Sequence, residues 1–196
     1  SAFGIYPVEM ADDAVDVVCG SSNKNLQGVP GFAFTILKKD LLAQCKGNAR
    51  SLVLDLQDQE AAYEKNGQFR FTPPTHAIRA FHRAVIEYNK EGGREGRFRR
   101  YRRNQRMLSK GLKEMGLSTY VKKNSDQGCI ITTILPPENR PFDFPRLYNG
   151  LAAEGIVIYP GKLTTIPTFR LGSIGTLTSK DIKMILGRIK EHLDLQ

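Results

Sequence analysis

Apolar and polar positions alternate along this chain in short, well-punctuated blocks. Two apolar runs, residues 15–19 and 32–37, have the length of buried strands. They flank a polar stretch rich in glycine and ending in Pro30-Gly31, which marks a tight loop. So short a connection predicts antiparallel neighbours, because a parallel crossover needs about a dozen residues. Upstream, residues 3–8 read as a strand end, and Asp12 and Asp13 as part of a polar turn. Residues 38–44 read as one or two helical turns. Leu52, Leu54 and Leu56 alternate with Val53 and Asp55, which predicts a short strand or extended piece; 57–66 reads as helix or coil. Pro73-Pro74 holds 69–75 extended. From Thr75 or His76, the residues Ile78, Phe81, Val85, Ile86 and Tyr88 recur at helical spacing until Gly92-Gly93.

The remainder begins with a long helix over 94–115, stopped by Gly116, whose stripe of Phe98, Tyr101, Met107, Leu108 and Leu112 is narrow. Strands are predicted at 119–121, 129–135, 156–159 and 168–171. Helices are predicted at 142–154, with Gly155 at the C-terminal cap, and at 181–193, capped by Thr178 or Ser179. This second half is a small α+β layer. The domain boundary is expected inside the long helix, giving domains of 1–105 and 106–196. No internal repeat is visible.

Composition changes the picture in two places. A hydrophobic content of 40% and an aromatic content of 9% are ordinary for a globular protein. No apolar run approaches the roughly 20 residues needed to cross a bilayer, so no membrane association is expected. Residues 1–4 show no signal-peptide pattern. Cys19, Cys45 and Cys129 lack metal-ligand spacing, which points to reduced thiols, a cytoplasmic protein and no bound metal. His76, His82 and His192 are scattered, and suit structural or solvent-facing positions. The formal net charge of +9 is concentrated in the arginine-rich stretch 94–106. Such a helix either binds a phosphate backbone or is a solvated face whose aliphatic stems cover a thin apolar stripe. The second is expected, so no nucleic-acid partner is assigned.

The candidate chemistry lies in the loop between the first two strands. There a single lysine, Lys24, sits among small polar residues. Held between core strands, its ammonium form would be disfavoured, the pKa would fall, and the amine would become a nucleophile of the Schiff-base kind. The alternative is a snorkelling lysine on a strand-end loop.

The segment Ser21-Ser22-Asn23-Lys24-Asn25-Leu26-Gln27-Gly28-Val29-Pro30-Gly31 resembles the cofactor-lysine segment of the 2-aminoethylphosphonate–pyruvate aminotransferases. These belong to the class V branch of the fold-type I, pyridoxal-phosphate-dependent aminotransferases. Cys45-Lys46-Gly47-Asn48-Ala49-Arg50-Ser51-Leu52 resembles a later family segment. So do Arg70-Phe71-Thr72-Pro73-Pro74-Thr75-His76, Val157-Ile158-Tyr159-Pro160-Gly161-Lys162 and Phe169-Arg170-Leu171-Gly172-Ser173-Ile174-Gly175. The blocks follow the family's order over nearly the whole chain.

The resemblance implies an α/β fold: the end of a large, mostly parallel sheet domain plus a small α+β C-terminal domain. It implies pyridoxal 5'-phosphate as cofactor and Lys24 as the Schiff-base and proton-shuttling residue. It assigns Arg170 to the substrate carboxylate, an arginine fork suiting bidentate pairing; a structural ion pair is the alternative. Thr72, preferred over Thr75, would reach the phosphate bound in the neighbouring subunit of a homodimer, Thr75 alternatively capping a helix. The block here departs from the family, which more often has Ser in place of the first proline. Arg50 would face an anionic substrate group or lie at a surface or interface. The implied reaction moves the amino group of 2-aminoethylphosphonate to pyruvate, giving phosphonoacetaldehyde and L-alanine. The alternatives are an alanine–glyoxylate or serine–pyruvate specificity, or a non-catalytic fragment or basic binding module. The family's ring-nitrogen aspartate, phosphate loop and stacking aromatic would all precede Ser1, so little or no activity is expected of these 196 residues alone.

Overall fold

A computed structural model describes residues 1–12, 14–138, 141–161 and 166–193. Asp13 and Lys162, both part of the sequence reading, lie outside the described residues. The chain forms two compact units, Ser1–Lys90 and Glu91–Gln196. The expected change of domain at 105–106 falls within the long helix, whereas this division precedes that helix. The long helix buries one face on the core of the second unit, and contacts therefore gather all of it there.

The first unit is built on an antiparallel hairpin of β1 (Val17–Ser21) and β2 (Ala33–Leu37), with Val17 opposite Leu37 and Ser21 opposite Ala33. The antiparallel pairing follows the short loop, as expected. A short helix α1 (Lys39–Gln44) follows, then α2 (Leu56–Asn66). Helix α2 starts where the Asp55 carboxylate accepts from the amides of Gln57 and Asp58, and ends on Gly67 in the left-handed conformation, φ 71°. Residues 52–56, expected as a short strand or extended piece, form instead an exposed turn that leads into α2 at Leu56, with Leu54 75% exposed. Their alternation finds no partner strand among the described residues, and a strand without a ladder leaves its amides unsatisfied. Residues 3–8 likewise form only an isolated bridge, Phe3 to Tyr6.

Helix α3 (Thr75–Lys90) carries the predicted apolar face. Phe81 meets Phe32 edge-on at 5.4 Å and stacks on Phe34 at 5.9 Å, while Phe3 meets Phe34 at 5.0 Å. The Tyr88 hydroxyl donates to the Gly4 carbonyl at 2.6 Å, pinning the N-terminal segment to α3.

The second unit contains α4 (Gly93–Glu114), β3 (Ile131–Ile134), α5 (Phe144–Ala153), β4 (Tyr159–Pro160), β5 (Phe169–Gly172) and α6 (Ser179–His192). Its sheet is antiparallel in the order β3-β5-β4, with β5 central. The expected strand at 119–121 is reduced to one bridge, Thr119 to Ile134. Leu108 and Leu112 of α4, Leu147 and Leu151 of α5, Ile182 and Ile189 of α6, and Ile134, Phe169 and Leu171 of the sheet form one core. Thr178 caps α6 in a reciprocal capping box with Asp181. The hydrogen bond from the Thr178 side chain, helped by the Thr178 amide, holds the Asp181 carboxyl below its usual range.

Both sheets are antiparallel among the described residues. What the chain holds of a mostly parallel domain is thus a hairpin and its covering helix.

Candidate active site

The loop between β1 and β2 is tightly built. The buried Ser22 hydroxyl donates to the carbonyls of Val29 (2.7 Å) and Phe32 (3.2 Å), stapling the two ends of the loop. The Gly28 amide returns to the Ser22 carbonyl at 2.8 Å, and the Gln27 amide to the Lys24 carbonyl at 2.9 Å. Buried Asn25 donates through Nδ2 to the Phe3 carbonyl at 2.6 Å. Gln27 adopts a left-handed φ of 60°, which costs a non-glycine residue about 1 kcal/mol. A Cβ on Gly28 would stand 2.7 Å from the Ser22 carbonyl oxygen, and one on Gly31 2.6 Å from the Ala77 methyl. Only glycine lets the loop close this tightly onto α3.

Lys24 stands at the tip of this turn. Its side chain is exposed, which corrects the expectation of an amine tucked between strands. The turn is closed from below by Ser22 and Asn25, so its backbone is rigid while the lysine points outward. The amine makes no hydrogen bond or ion pair with any described residue. It is an exposed primary amine, with no carboxylate among the described residues paired to it.

Thr72 and Thr75 are exposed before and at the start of α3. Thr75 is the first residue of the helix, its amide donating to the Pro73 carbonyl at 2.8 Å. Contact of the loop glycines with Ala77 and Phe81 brings the opening turns of α3 beside the lysine loop. No hydrogen bond joins Lys24 to either threonine. Arg50 is exposed in the turn after α1, with no ion pair among the described residues.

In the second unit, Arg170 lies on the central strand β5, opposite Thr133 on one side and Tyr159 on the other. Phe169 and Leu171 point into the core, and strand alternation turns Arg170 to the opposite face. Its Nε donates to the Pro160 carbonyl at 2.9 Å, which fixes the plane of the guanidinium. No described acid pairs with it, so the structural ion pair weighed as an alternative is not formed among the described residues.

The sequence reading missed the support behind β5. The Glu91 carboxylate receives Arg97 Nε and Arg100 Nε, each at 2.6 Å. Arg100 also donates to the Gly175 carbonyl, and the Gly175 amide donates to the Tyr101 hydroxyl at 2.9 Å. Asn104 Nδ2 donates to the Leu177 carbonyl at 2.7 Å. The turn that follows Arg170 is thereby clamped to α4. Burial pushes the Glu91 carboxyl up, but hydrogen bonds and charge from Arg100 and Arg97 outweigh it and hold it below the usual range. The Arg100 guanidinium is raised, chiefly by its hydrogen bond to Glu91. His192, expected in a structural or solvent-facing position, contacts Glu154 at 2.7 Å between α6 and α5. Among the described residues, no group of three or more His, Cys, Asp and Glu could hold a metal ion, and no helix is long and apolar enough to cross a membrane.

The fold is that of the fold-type I aminotransferases. The crystal structure of pyridoxamine–pyruvate aminotransferase from Mesorhizobium loti superposes with a TM-score of 0.86 at 24% identity, over 98% of this chain and 50% of that one. By sequence, the chain matches the C-terminal portion of the 2-aminoethylphosphonate–pyruvate transaminases. It is 45% identical to the enzyme so named from Bacillus cereus over 190 residues, 96% of this chain and 52% of that protein. The counterpart from Burkholderia ambifaria is 41% identical over 194 residues, 99% and 52% respectively. The chain therefore spans about half the length of these curated relatives. No family model matches it.

Proposed function

We propose that this chain is the C-terminal portion of a pyridoxal-phosphate-dependent transaminase that moves the amino group of 2-aminoethylphosphonate to pyruvate, giving phosphonoacetaldehyde and L-alanine. The observation that carries the reading is 45% identity over 96% of the chain to a transaminase of that name. The residues present suit the cofactor: an unpaired primary amine on a rigid turn, and two exposed hydroxyls at the start of a 16-residue helix beside it. When bound, pyridoxal phosphate supplies an aldehyde carbon that accepts amines and a ring that takes up an electron pair.

In this reading Lys24 Nζ would hold the cofactor, its amine being the group that the aldehyde carbon accepts. The Lys24 amine would take the proton from the substrate carbon that bears the amino group and hold it on Nζ for return, as base and then acid. The Ser22 and Asn25 hydrogen bonds hold the turn, so the amine starts each step from the same place. Arg170, its plane set by Pro160, receives the carboxylate of pyruvate or alanine in a two-point contact. Thr72 donates to the cofactor phosphate, with helix α3 contributing its N-terminal dipole. Arg50 adds positive charge toward an anionic substrate group.

We take the protein to act as a homodimer in which Thr72 serves the site of the partner subunit. Support comes from exposed apolar residues of the first unit, Leu52, Val53, Leu54, Phe69 and Phe71, a set that calls for cover. Cys19, Cys45 and Cys129 form no disulfide among the described residues, which suits a reducing, cytoplasmic compartment.

Borohydride reduction after incubation with pyridoxal phosphate, followed by tryptic mapping, tests the assignment. Modification at Lys24 blocks cleavage there and yields a labelled peptide of residues 1–38. Label spread evenly over the lysines, or unchanged in Lys24→Ala, would refute it.

A further inference from the structure

The charge of this protein is not evenly shared. Ser1–Lys90 carries ten Lys and Arg against ten Asp and Glu, whereas Glu91–Gln196 carries nineteen against ten, which accounts for the net +9. Nine of the nineteen cations lie on α4. Some of these are neutralised: Arg97 and Arg100 by Glu91, and Arg94 by Glu95 at 3.1 Å. Others are not. Arg102, Arg106, Lys110 and Lys113 recur at steps of four, four and three, which places them on one face of the helix.

That face is one wall of a groove of about 420 Å³, closed on the other side at Asn124. Arg102 forms the floor of the junction, donating to the carbonyls of Gln127 (2.6 Å) and Asn124 (2.9 Å) and so fixing the loop against the helix. Arg106 and Lys113 are exposed and pair with no described residue. Lys110 has only a loose contact with Glu114, at 3.8 Å, and both are well exposed. Buried Gln105 donates through Nε2 to the Ser109 hydroxyl at 2.7 Å, which leaves the Ser109 O–H to donate into the groove. No carboxylate lines it, and Asp126 in the facing loop accepts instead from its neighbour Ser125 at 2.7 Å. Lys122 and Lys123 add two more cations beside the loop.

We propose that this groove is a binding site for a small anion bearing two or more phosphate-type groups. The chemistry of the lining is convergent: the Arg106 fork, two ammonium groups and a hydroxyl, all donors, above the positive charge of Arg102. From Arg102 to Lys113 the helix rises about 16 Å. A single phosphate cannot touch cations spread over that length, whereas a chain of linked phosphates can. The volume suits a small ligand. No aromatic side chain lines the groove, so it offers no platform on which bases could stack, and this disfavours single-stranded nucleic acid. Lys24, Thr72, Arg50 and Arg170 take no part in the lining, so the site is independent of the proposed transamination.

Titration calorimetry on the whole chain with sodium tripolyphosphate and with inorganic monophosphate, at 50 and 200 mM salt, tests it. The expected result is saturable 1:1 binding of tripolyphosphate, at least tenfold tighter than monophosphate and weakened by salt. The pair Arg106→Gln and Lys113→Gln should weaken it at least tenfold, with Lys110→Gln as a third, independent reduction. The pair Arg99→Gln and Arg103→Gln removes the same charge from α4 outside the groove and should change it less than threefold. Equal losses in the two pairs would mean diffuse attraction and overturn the site. Absence of saturation below millimolar ligand would overturn it too. A single-stranded 20-nucleotide DNA that binds tighter than tripolyphosphate and displaces it would replace this proposal with a nucleic-acid interface.

Discussion

Glu91 is the most exacting place to test the architecture. Its carboxylate receives two guanidinium groups at 2.6 Å, and one of them, Arg97, is only 2% exposed. Replacing Glu91 by alanine removes the anion that faces a charge almost wholly out of water. Breaking a buried pair by deleting one partner costs about 3–5 kcal/mol. Glu91 itself is 24% exposed and Arg100 19%, so water can partly replace the carboxylate, and the lower end, about 3 kcal/mol, is expected. Glu91→Gln keeps one acceptor oxygen and should cost less, about 1.5–2 kcal/mol. The control is Glu95, whose pair with Arg94 is exposed on both sides and should contribute under about 0.5 kcal/mol. The chain has no tryptophan. Urea unfolding is therefore followed by far-ultraviolet circular dichroism and tyrosine fluorescence, and Tyr101, fully buried beside the cluster, reports directly. A Glu91→Ala variant no less stable than Glu95→Ala would refute the reading that this ion cluster holds the turn behind β5.

Three further outcomes are expected. The Glu91 carboxyl is held below its ordinary value of 4.5 in the folded chain, so the stabilisation is present above about pH 4.5 and is lost as pH falls through the lower folded value; an acid titration should show the wild type losing more stability than Glu91→Gln over that window. Gly28→Ala places a methyl 2.7 Å from the Ser22 carbonyl and 3.3 Å from the Phe81 ring, which should destabilise the first unit by about 1–3 kcal/mol and slow labelling of Lys24; wild-type labelling rates would contradict the role given to the turn. In the active protein, Arg170→Lys replaces a fork with a point charge and should raise the pyruvate KM about 10- to 100-fold, read from alanine formation; an unchanged KM would remove Arg170 from the site.

Much of this molecule is written locally. The β1–β2 hairpin follows from two apolar runs joined by too few residues for any other pairing. Helices α3 and α6 follow from apolar positions at helical spacing, and α6 from a threonine and an aspartate placed to cap each other. Lys24 was located at its turn by the glycines and proline around it. Local pattern carries no information about what lies opposite, and there the expectations diverged. Leu52 and Leu54 alternate like a strand, yet form an exposed turn because no strand is there to pair with them. Lys24 was expected to be buried between strands, but a turn stapled from below by Ser22 presents its side chain outward. On α4 the apolar stripe looked narrow because half the buried face is polar: Arg97, Asn104 and Gln105 lie inside with Tyr101, Leu108 and Leu112. Glu91, Leu177 and Ser109 accept from Arg97 Nε, Asn104 Nδ2 and Gln105 Nε2, and partners brought from other turns and elements exist only once the chain has folded.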